Sequence, residues 1–321
     1  MSGVMEKVVA LSKRRGFVYP GSEIYGGLQA TYDYGPAGVE LKRLIKDDWW
    51  RAMVREREDV VGLDASILMA ARVWEVSGHV GGFNDPMVDC KTCKGRFRED
   101  KMAQSKCLKK KKLTPLECGG ELTEPRLFNL MFKTKAGTID DDAATVYLRP
   151  ETAQGIFVNF KNVMDSTRVK IPFGVAQIGK AFRNEIVSGG QIFRMREFEQ
   201  MEMEFFCAPG TDVEWLEYWK AERLRWWQEL GVRKEKLRIR EHEKDELAHY
   251  ARGCGDIEYE YPWGWDEVEG VANRTDYDLG HHQECSGRGL SYRDEEQKAW
   301  VVPYVIEPSG GVDRCFLTVL C

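Results

Sequence analysis

Long apolar runs are missing from this sequence. Its longest candidate, Ser66 to Ala71, is stopped by Arg72, well short of the roughly 18 apolar residues that a membrane-spanning helix needs. The segment from Met1 to Lys7 also lacks the apolar core of a secretory signal. We therefore expect a cytoplasmic protein that does not enter a membrane.

The signatures of several common folds are absent as well. No Gly-x-x-x-x-Gly-Lys-Ser/Thr is present, and no Gly-x-Gly-x-x-Gly follows a strand-like run, so a P-loop enzyme and a Rossmann domain both lack support. The nucleophile elbow Gly-x-Ser-x-Gly and any repeat of fixed period are missing too. A net charge of −5 excludes a polycation, but a local basic face is sufficient for nucleic-acid binding.

What is present is a globular composition in which helix-like and strand-like runs alternate irregularly. Apolar spacing and end signals predict helices over 5–15, 39–57, 151–162 and 211–230. Runs typical of strands lie at 127–132, 145–148, 173–182, 192–206, 256–261, 267–272 and 301–306. Because strands and helices do not alternate regularly, we expect an α+β fold with an antiparallel sheet rather than a doubly wound parallel sheet.

The run after Phe182 carries the densest group of chemically useful side chains. Two strand-like runs flank Gly189 and Gly190, which predicts a hairpin with its turn at these glycines. Alternation along the second run puts arginines, an aromatic ring and carboxylates on one face: Arg194, Arg196, Phe198, Gln200, Glu202 and Glu204. Such a face suits a phosphate chain, a base and an ammonium group. A solvated strand with cross-strand ion pairs is the alternative.

A second cluster lies at the end of the sequence. The strand-like run that ends near Pro308 leads into Gly310 and Gly311, which predict a turn followed by a helix. Arg314 lies one turn into that helix, where its side chain can reach a phosphate.

Four of the nine cysteines fall between residues 90 and 118. Cys90 and Cys93 have the spacing of half a zinc knuckle, and Cys107 and Cys118 supply two further thiols at irregular spacing. Structural Zn²⁺ and free thiols are both consistent with this pattern, whereas a disulfide is not expected in the cytosol.

Seven longer motifs occur together in this chain. They are Ser22-Glu23-Ile24-Tyr25-Gly26-Gly27, Tyr32-Asp33-Tyr34-Gly35-Pro36, Gly62-Leu63-Asp64-Ala65-Ser66, Phe128-Asn129-Leu130-Met131-Phe132, Arg149-Pro150-Glu151-Thr152-Ala153-Gln154-Gly155, Arg274-Thr275-Asp276-Tyr277-Asp278-Leu279 and Val305-Ile306-Glu307-Pro308-Ser309. Over about residues 8–320 the chain resembles the homodimeric glycyl-tRNA synthetases, a family of class II aminoacyl-tRNA synthetases. The resemblance implies a class II catalytic fold and a homodimer. It also implies a two-step reaction, in which glycine and ATP give glycyl-adenylate and the glycyl group then passes to the 3′ end of tRNA(Gly).

The resemblance also implies a domain plan. We expect residues 1–321 to form one catalytic domain, an antiparallel sheet flanked by helices. It would carry a Cys/Lys-rich insertion at 86–125 and a second insertion at 207–262, between the second and third class II motifs. The family continues after Arg314 with an anticodon-binding domain, which we expect to be absent from this chain.

For ATP, the resemblance assigns five residues to roles. Arg183 matches the arginine that binds the α-phosphate and the carboxylate, where its charge stabilises the phosphate during in-line attack. Glu185 matches the acid beside the adenine or the tRNA end, and Phe198 matches the ring that stacks on adenine. Arg194 and Arg314 match the arginines that reach the γ-phosphate. We expect Arg183, Glu185 and Arg314 to be catalytic and Mg²⁺ to arrive with the nucleotide.

Glycine offers an ammonium and a carboxylate but no side chain, so its pocket should be small and acidic around the amine. The resemblance places Glu151, Glu202 and Glu307 there, with Ser309 and Arg274 nearby. Three carboxylates repel one another unless a cation lies among them, and the ammonium group meets that need. For each glutamate, a surface ion pair is the alternative.

Other polar segments allow weaker predictions. The lysines of 109–112 contact either tRNA phosphates or solvent. His249 lies in the segment 207–262, which is a candidate to approach the tRNA acceptor stem. His281 and His282 are predicted to lie in a loop and to have no chemical role.

Three interpretations follow. The first is the catalytic part of a glycyl-tRNA synthetase, and the second is a catalytic paralogue that activates glycine for another acceptor. The third is a non-catalytic nucleic-acid-binding subunit built on the same fold. The presence of Arg183, Glu185, Phe198, Glu307 and Arg314 disfavours the third, because a binding module does not need the full set of ATP contacts.

Overall fold

The structure, a computed structural model, describes residues 3–103, 105–110, 112–138, 145–185, 191–248, 250–295 and 298–321. Within these ranges the α-helices are α1 (Gly3–Arg14), α2 (Pro36–Trp50), α3 (Ala71–Val76), α4 (His79–Gly82), α5 (Ala153–Thr167), α6 (Asp212–Glu229), α7 (Tyr277–Ser286) and α8 (Val312–Leu320). The strands are β1 (Val18–Pro20), β2 (Tyr32–Tyr34), β3 (Val60–Gly62), β4 (Leu68–Met69), β5 (Asn84–Asp89), β6 (Arg96–Arg98), β7 (Arg126–Asn129), β8 (Phe132–Lys135), β9 (Thr145–Leu148), β10 (Phe173–Phe182), β11 (Glu197–Cys207), β12 (Leu237–Glu241), β13 (Gly253–Tyr261), β14 (Gly264–Thr275), β15 (Tyr292–Asp294), β16 (Ala299–Val301) and β17 (Tyr304–Gly311).

The largest sheet in the described ranges has seven strands in the order β12-β13-β14-β17-β11-β10-β3. Its pairs are antiparallel except for β10 with β3, which is parallel. The longest register runs along β10 and β11, from Phe173 opposite Phe206 to Phe182 opposite Glu197. The predicted α+β fold is confirmed, and its sheet is antiparallel apart from one edge pair.

Alternation along β11 gives this sheet two different faces. Met201, Met203 and Phe205 belong to a core formed with α2, α6 and α8. Burying each of these side chains contributes about 1.5–3 kcal/mol. Phe206 belongs to a second core formed with α5 and α7. Since successive side chains point to opposite faces, Gln200, Glu202 and Glu204 share the face of Phe206, where three polar side chains interrupt an apolar surface.

The strand predicted over 192–206 is wrong at its beginning. A single 3₁₀ turn occupies Gln191–Phe193, and β11 starts only at Glu197. Arg194 and Arg196 therefore lie before the strand and do not continue its alternating face. The turn predicted at Gly189 and Gly190 lies outside the described residues.

The glycine turn predicted at the end of the chain is also wrong. Gly310 and Gly311 extend β17, where they pair with Met201 and Gln200 of β11. Gly311 has an ordinary φ of −88°, and α8 begins directly at Val312. The helix prediction holds, but a strand delivers Arg314 to the site without an intervening turn.

The two segments predicted as insertions differ from each other in how they relate to the large sheet. Segment 207–262 supplies α6, β12 and β13, and its two strands extend the seven-stranded sheet at one edge. Segment 86–125 contributes to a separate three-stranded sheet in the order β6-β5-β7. None of the helices in the described ranges is long and apolar enough to cross a membrane.

Candidate active site

A cavity of about 340 Å³ lies against four neighbouring strands of the large sheet, β13, β14, β17 and β11. Nine of the ten substrate-site residues predicted from the sequence line it: Glu151, Arg183, Glu185, Arg194, Phe198, Glu202, Glu307, Ser309 and Arg314. The tenth, Arg274, is buried directly behind Glu307 and donates a hydrogen bond to it. The structure thus brings together residues that lie more than 160 positions apart in the sequence.

One end of the cavity is formed by buried carboxylates with defined hydrogen-bond donors. Glu202 accepts hydrogen bonds from Thr152 Oγ1, from Ser309 Oγ at 2.7 Å and from Gln200 Nε2 at 3.3 Å. Glu307 accepts a hydrogen bond from Arg274 Nη1 at 2.6 Å. Because both glutamates are buried, the alternative of surface ion pairs does not apply to them.

Arg274 balances part of this negative charge from beneath. Its Nε and Nη2 donate to Asp278 at 2.8 and 3.0 Å, while Nη1 is directed at Glu307. Burial of an arginine is costly unless its charge is paired, and two carboxylates meet that need here. Burial raises the pKa of Glu307 above its ordinary value, although Arg274 lowers it. This end of the cavity is therefore short of positive charge.

Glu151 completes the carboxylate end from the loop before α5. Its Oε2 lies 3.2 Å from Nε2 of His79, and its Oε1 accepts a hydrogen bond from Gln154 Nε2 at 3.1 Å. Burial raises the pKa of Glu151, but His79 and the charge of Arg274 outweigh it and hold the pKa well below its usual range. Glu151 is thus an ionised partner for a cation. No sequence pattern pointed to His79, because it lies 72 residues before Glu151.

Local packing explains why Glu151 is held in place. The neighbouring Arg149 is buried, and it donates to the backbone carbonyls of Lys180 and Ala65, both at 2.7 Å. Charged donors of this kind tie the loop to β10 and to the loop after β3. The motif Arg149-Pro150-Glu151 therefore combines an anchor with a residue that lines the cavity.

The other end of the cavity carries arginines beside aromatic rings. The guanidinium of Arg183 lies 5.3 Å from the ring centre of Phe198 and 5.4 Å from that of Phe83, and its Nε donates to the carbonyl of Pro150 at 3.0 Å. Arg194 is half-buried, and its Nη1 lies 3.7 Å from Glu185 Oε2. These contacts leave the arginines weakly held, which suits groups that exchange protein partners for phosphate oxygens.

Arg314 enters the cavity from the first turn of α8. Its guanidinium lies 4.5 Å from the ring centre of Phe193, and Nη1 lies 3.1 Å from Glu267 Oε2. The charge of Arg314 lowers the pKa of Glu267. The preceding Asp313 fixes this turn, because it accepts hydrogen bonds from Lys42 Nζ at 2.8 Å and from the backbone N–H of Glu199 at 2.7 Å. Sequence reasoning missed Glu267, whose strand shows no local motif.

A second group of metal-ligating residue types lies on the wall formed by β13. Donor atoms of His242, Cys254 and Asp256 lie within 4.8 Å of one another. His242 Nε2 is already 2.7 Å from Asp256 Oδ2, and burial raises the pKa of the Cys254 thiol to about 12. In this arrangement the thiol of Cys254 is neutral, and the imidazole of His242 already contacts the carboxylate of Asp256.

The predictions for the remaining histidines can be compared with their positions in the structure. His281 and His282 lie within α7, so the prediction of a loop is wrong. His282 is buried, and its Nε2 lies 2.8 Å from Gln154 Oε1. His282 therefore supports Gln154, which in turn contacts Glu151. His249 lies outside the described residues.

The four clustered cysteines converge in a small core beside β5. Cys90, Cys93, Cys107 and Cys118 are all buried and packed together. A backbone N–H lies 3.4 Å from each sulfur: Cys93 N from Cys90, Gly95 N from Cys93, Lys110 N from Cys107 and Gly120 N from Cys118. A Cβ at position 120 would lie 2.6 Å from Cys90 Sγ, so this close approach requires glycine. Such amide contacts stabilise thiolates and orient metal ligands.

Comparison with known proteins agrees with this geometry. Residues 132–318 match the family described as tRNA synthetase class II core domain (G, H, P, S and T). The chain is 55% identical over 338 residues to a glycine–tRNA ligase of Acetivibrio thermocellus, covering 99% of this chain and 73% of that protein. It is 55% identical over 318 residues to the glycine–tRNA ligase of Treponema denticola, with 99% and 70% covered. For the enzyme of Thermobifida fusca the identity is 54% over 332 residues, with 99% and 72% covered. The resemblance read from the sequence motifs is confirmed, and the chain belongs to the glycine–tRNA ligase family of class II aminoacyl-tRNA synthetases.

Proposed function

We propose that this chain activates glycine with ATP to form glycyl-adenylate and transfers the glycyl group to the 3′ end of tRNA(Gly). The main observation behind the proposal is that one cavity has a carboxylate end and an arginine end. Buried carboxylates at one end match an ammonium group, and arginines beside aromatic rings at the other end match a nucleotide triphosphate. Membership of the family supports the same conclusion.

The activation step needs positioning and charge rather than a protein nucleophile. The carboxylate of glycine attacks the α-phosphorus of ATP, a new phosphorus–oxygen bond forms, and pyrophosphate leaves. We assign Arg183 to the α-phosphate oxygens, where negative charge grows in the transition state. Arg194 and Arg314 hold the terminal phosphate, Phe198 stacks on the base, and Glu185 lies beside the nucleotide. Mg²⁺ bound with ATP would screen the charge of the phosphates.

Selection of glycine follows from the carboxylate end. Glu151, Glu202 and Glu307 surround the ammonium group, and Ser309 and Arg274 hold the last two carboxylates in place. A buried site of this kind discriminates by charge at the amine and by volume at the α-carbon. We expect larger amino acids to be excluded by volume at this end of the cavity.

The test is glycine-dependent exchange of pyrophosphate into ATP, followed by charging of tRNA(Gly). We expect both activities. Exchange without charging of any tRNA would favour the paralogue that activates glycine for another acceptor. Absence of exchange in folded protein would contradict the proposal and favour a non-catalytic nucleic-acid-binding subunit.

Several features of the proposed enzyme remain predictions. These are the homodimer, the cytoplasmic location, the catalytic domain over 1–321 with its segment 86–125, and the contact of the lysine run with tRNA phosphates. Within that run, Lys111 lies outside the described residues. Gel filtration of the purified chain tests the dimer, and the salt dependence of tRNA binding tests the lysine contacts.

We also propose that Cys90, Cys93, Cys107 and Cys118 bind one structural Zn²⁺. Four buried thiols with a backbone amide at each sulfur support this assignment. Zn²⁺ would hold the sulfurs as thiolates and fix the fold of this segment. Metal analysis should find about one zinc per chain, and Cys118→Ser should lower it. A matched Cys321→Ser variant should retain it, since Cys321 is exposed. Folded protein without zinc would contradict the assignment.

A further inference from the structure

Glu204 differs from every other carboxylate described at the site. It lies two residues after Glu202 on the same face of β11, and its side chain is fully buried. Among the described residues, neither of its carboxyl oxygens has a hydrogen-bond partner. By contrast, Glu202 accepts three hydrogen bonds from neighbouring side chains. The two glutamates therefore lie on the same strand and the same face of the sheet, but only Glu202 has hydrogen-bond donors within the part of the chain that the structure describes.

The charged groups around Glu204 are mostly negative. Carboxylate oxygens of Glu202, Glu204 and Glu307 lie within 4.8 Å of one another. The charges of Arg274 and Asp278 also act on Glu204. The donors of Arg274 are directed at Asp278 and Glu307. An ionised Glu204 would thus be a buried anion without a donor and next to like charges, which is among the most costly arrangements in a protein.

We propose that Glu204 remains protonated at neutral pH and that its carboxyl O–H donates to the carboxylate of Glu307. Glu307 is the better acceptor because Glu202 already accepts three hydrogen bonds, whereas the contact described for Glu307 is the one from Arg274. Burial, followed by the charge of Glu307, raises the pKa of Glu204 well above its ordinary value. In this role Glu204 is a positioning residue that holds Glu307 toward the cavity.

If the cavity binds glycine as proposed above, protonation of Glu204 sets the negative charge that the ammonium group of glycine meets. It leaves the carboxylates of Glu151, Glu202 and Glu307 to face the cavity, with Arg274 behind them. One ammonium group then meets a cluster whose negative charge is already partly offset. A fourth ionised carboxylate would increase repulsion within the cluster and would make the site attract more than a single monovalent cation.

Two substitutions distinguish a Glu204 side chain that acts as a neutral hydrogen-bond donor from one that acts as a negative charge. Glu204→Gln keeps the shape, the neutrality and one donor, so KM for glycine should stay within about twofold of wild type. Glu204→Leu removes the donor, so KM for glycine should rise about tenfold or more with a smaller change in kcat. Equal impairment of both variants would overturn the proposal, because it would mean that the negative charge is required. Thermal unfolding checks that each variant folds.

Infrared spectroscopy of the substrate-free protein provides a test that does not depend on activity. We expect the carbonyl stretching band of a protonated carboxyl group at neutral pH in wild type and its loss in Glu204→Gln. Wild-type protein without that band, or a band of undiminished intensity in Glu204→Gln, would overturn the proposal. This infrared test does not need Glu204→Leu to fold, because it compares only wild type and Glu204→Gln. It also does not need glycine-dependent exchange, so a failure of the proposed function can be distinguished from a failure of this inference.

Discussion

The two ends of the cavity are built in different ways. At the carboxylate end, Glu202 and Glu307 lie on strands of the large sheet and are buried with fixed donors such as Ser309 and Arg274, and Glu151 joins them from the loop before α5. The arginine end relies on residues just outside the strands, namely Arg183 after β10 and Arg194 before β11. One of its contacts is long, the 3.7 Å between Arg194 Nη1 and Glu185 Oε2. We therefore expect the proposed glycine site to be preorganised and the proposed nucleotide site to close around its ligand.

The largest effect should come from the arginine that connects the two ends. Arg183→Ala should lower glycine-dependent exchange by about 10²–10³-fold or more, because the charge that grows on the α-phosphate loses its partner. Steady-state exchange assays measure the loss. Arg233→Ala is the matched control, because Arg233 is an exposed arginine paired only loosely with Glu235. Retention of most activity in Arg183→Ala would contradict the assigned role.

A smaller but selective effect is expected at the carboxylate end. Glu307→Gln keeps the shape and removes the charge, and hydrogen bonds to charged groups contribute about 1.5–3 kcal/mol, so KM for glycine should rise about 10- to 100-fold. KM for ATP should change little. The exposed Glu235→Gln serves as the control. Equal losses for glycine and ATP would contradict the separation of the two ends.

The mirror-image change is Phe198→Leu at the nucleotide end. Stacking of a base on an aromatic ring contributes about 1–3 kcal/mol, so KM for ATP should rise about tenfold. KM for glycine should stay within about twofold. The exposed Trp300, which is not among the residues lining the cavity, provides the control variant Trp300→Leu. A rise in KM for glycine as large as that for ATP would mean that the ends are coupled.

The smallest effect concerns stability. The pKa of Glu204 is raised in the folded state, so between the unfolded and folded pKa values the folded protein binds one more proton than the unfolded chain. Stability then falls as pH rises. Glu204→Gln has no such proton, so its Tm relative to wild type should increase by at least about 2 °C between about pH 6 and pH 8. A constant or shrinking difference in Tm would contradict the buried proton.

Part of this architecture could be read from the sequence. The strands predicted at 173–182 and 145–148 coincide with β10 and β9, because both runs are rich in residues that favour strands. The motif residues at the site were found because each motif occurs as a contiguous block. The beginning of β11 was misjudged, since the alternation of Arg194 and Arg196 resembles a strand although neither residue pairs in the sheet.

Other features depend on tertiary contacts and have no sequence pattern. His79 meets Glu151 only because α4 packs beside the loop before α5. The convergence of Cys107 and Cys118 on the Cys90–Cys93 pair arises from turns whose spacing is irregular. The isolation of Glu204 could not be predicted either, because alternation places it beside Glu202 but does not reveal which of the two has donors.

Pyrophosphate exchange with glycine and with alanine as alternative substrates tests the central claim most directly. If a preorganised carboxylate end admits glycine beside ATP, exchange should require glycine, and alanine should support it at least about 100-fold less well. Exchange that proceeds equally with alanine, or without any amino acid, would contradict the account.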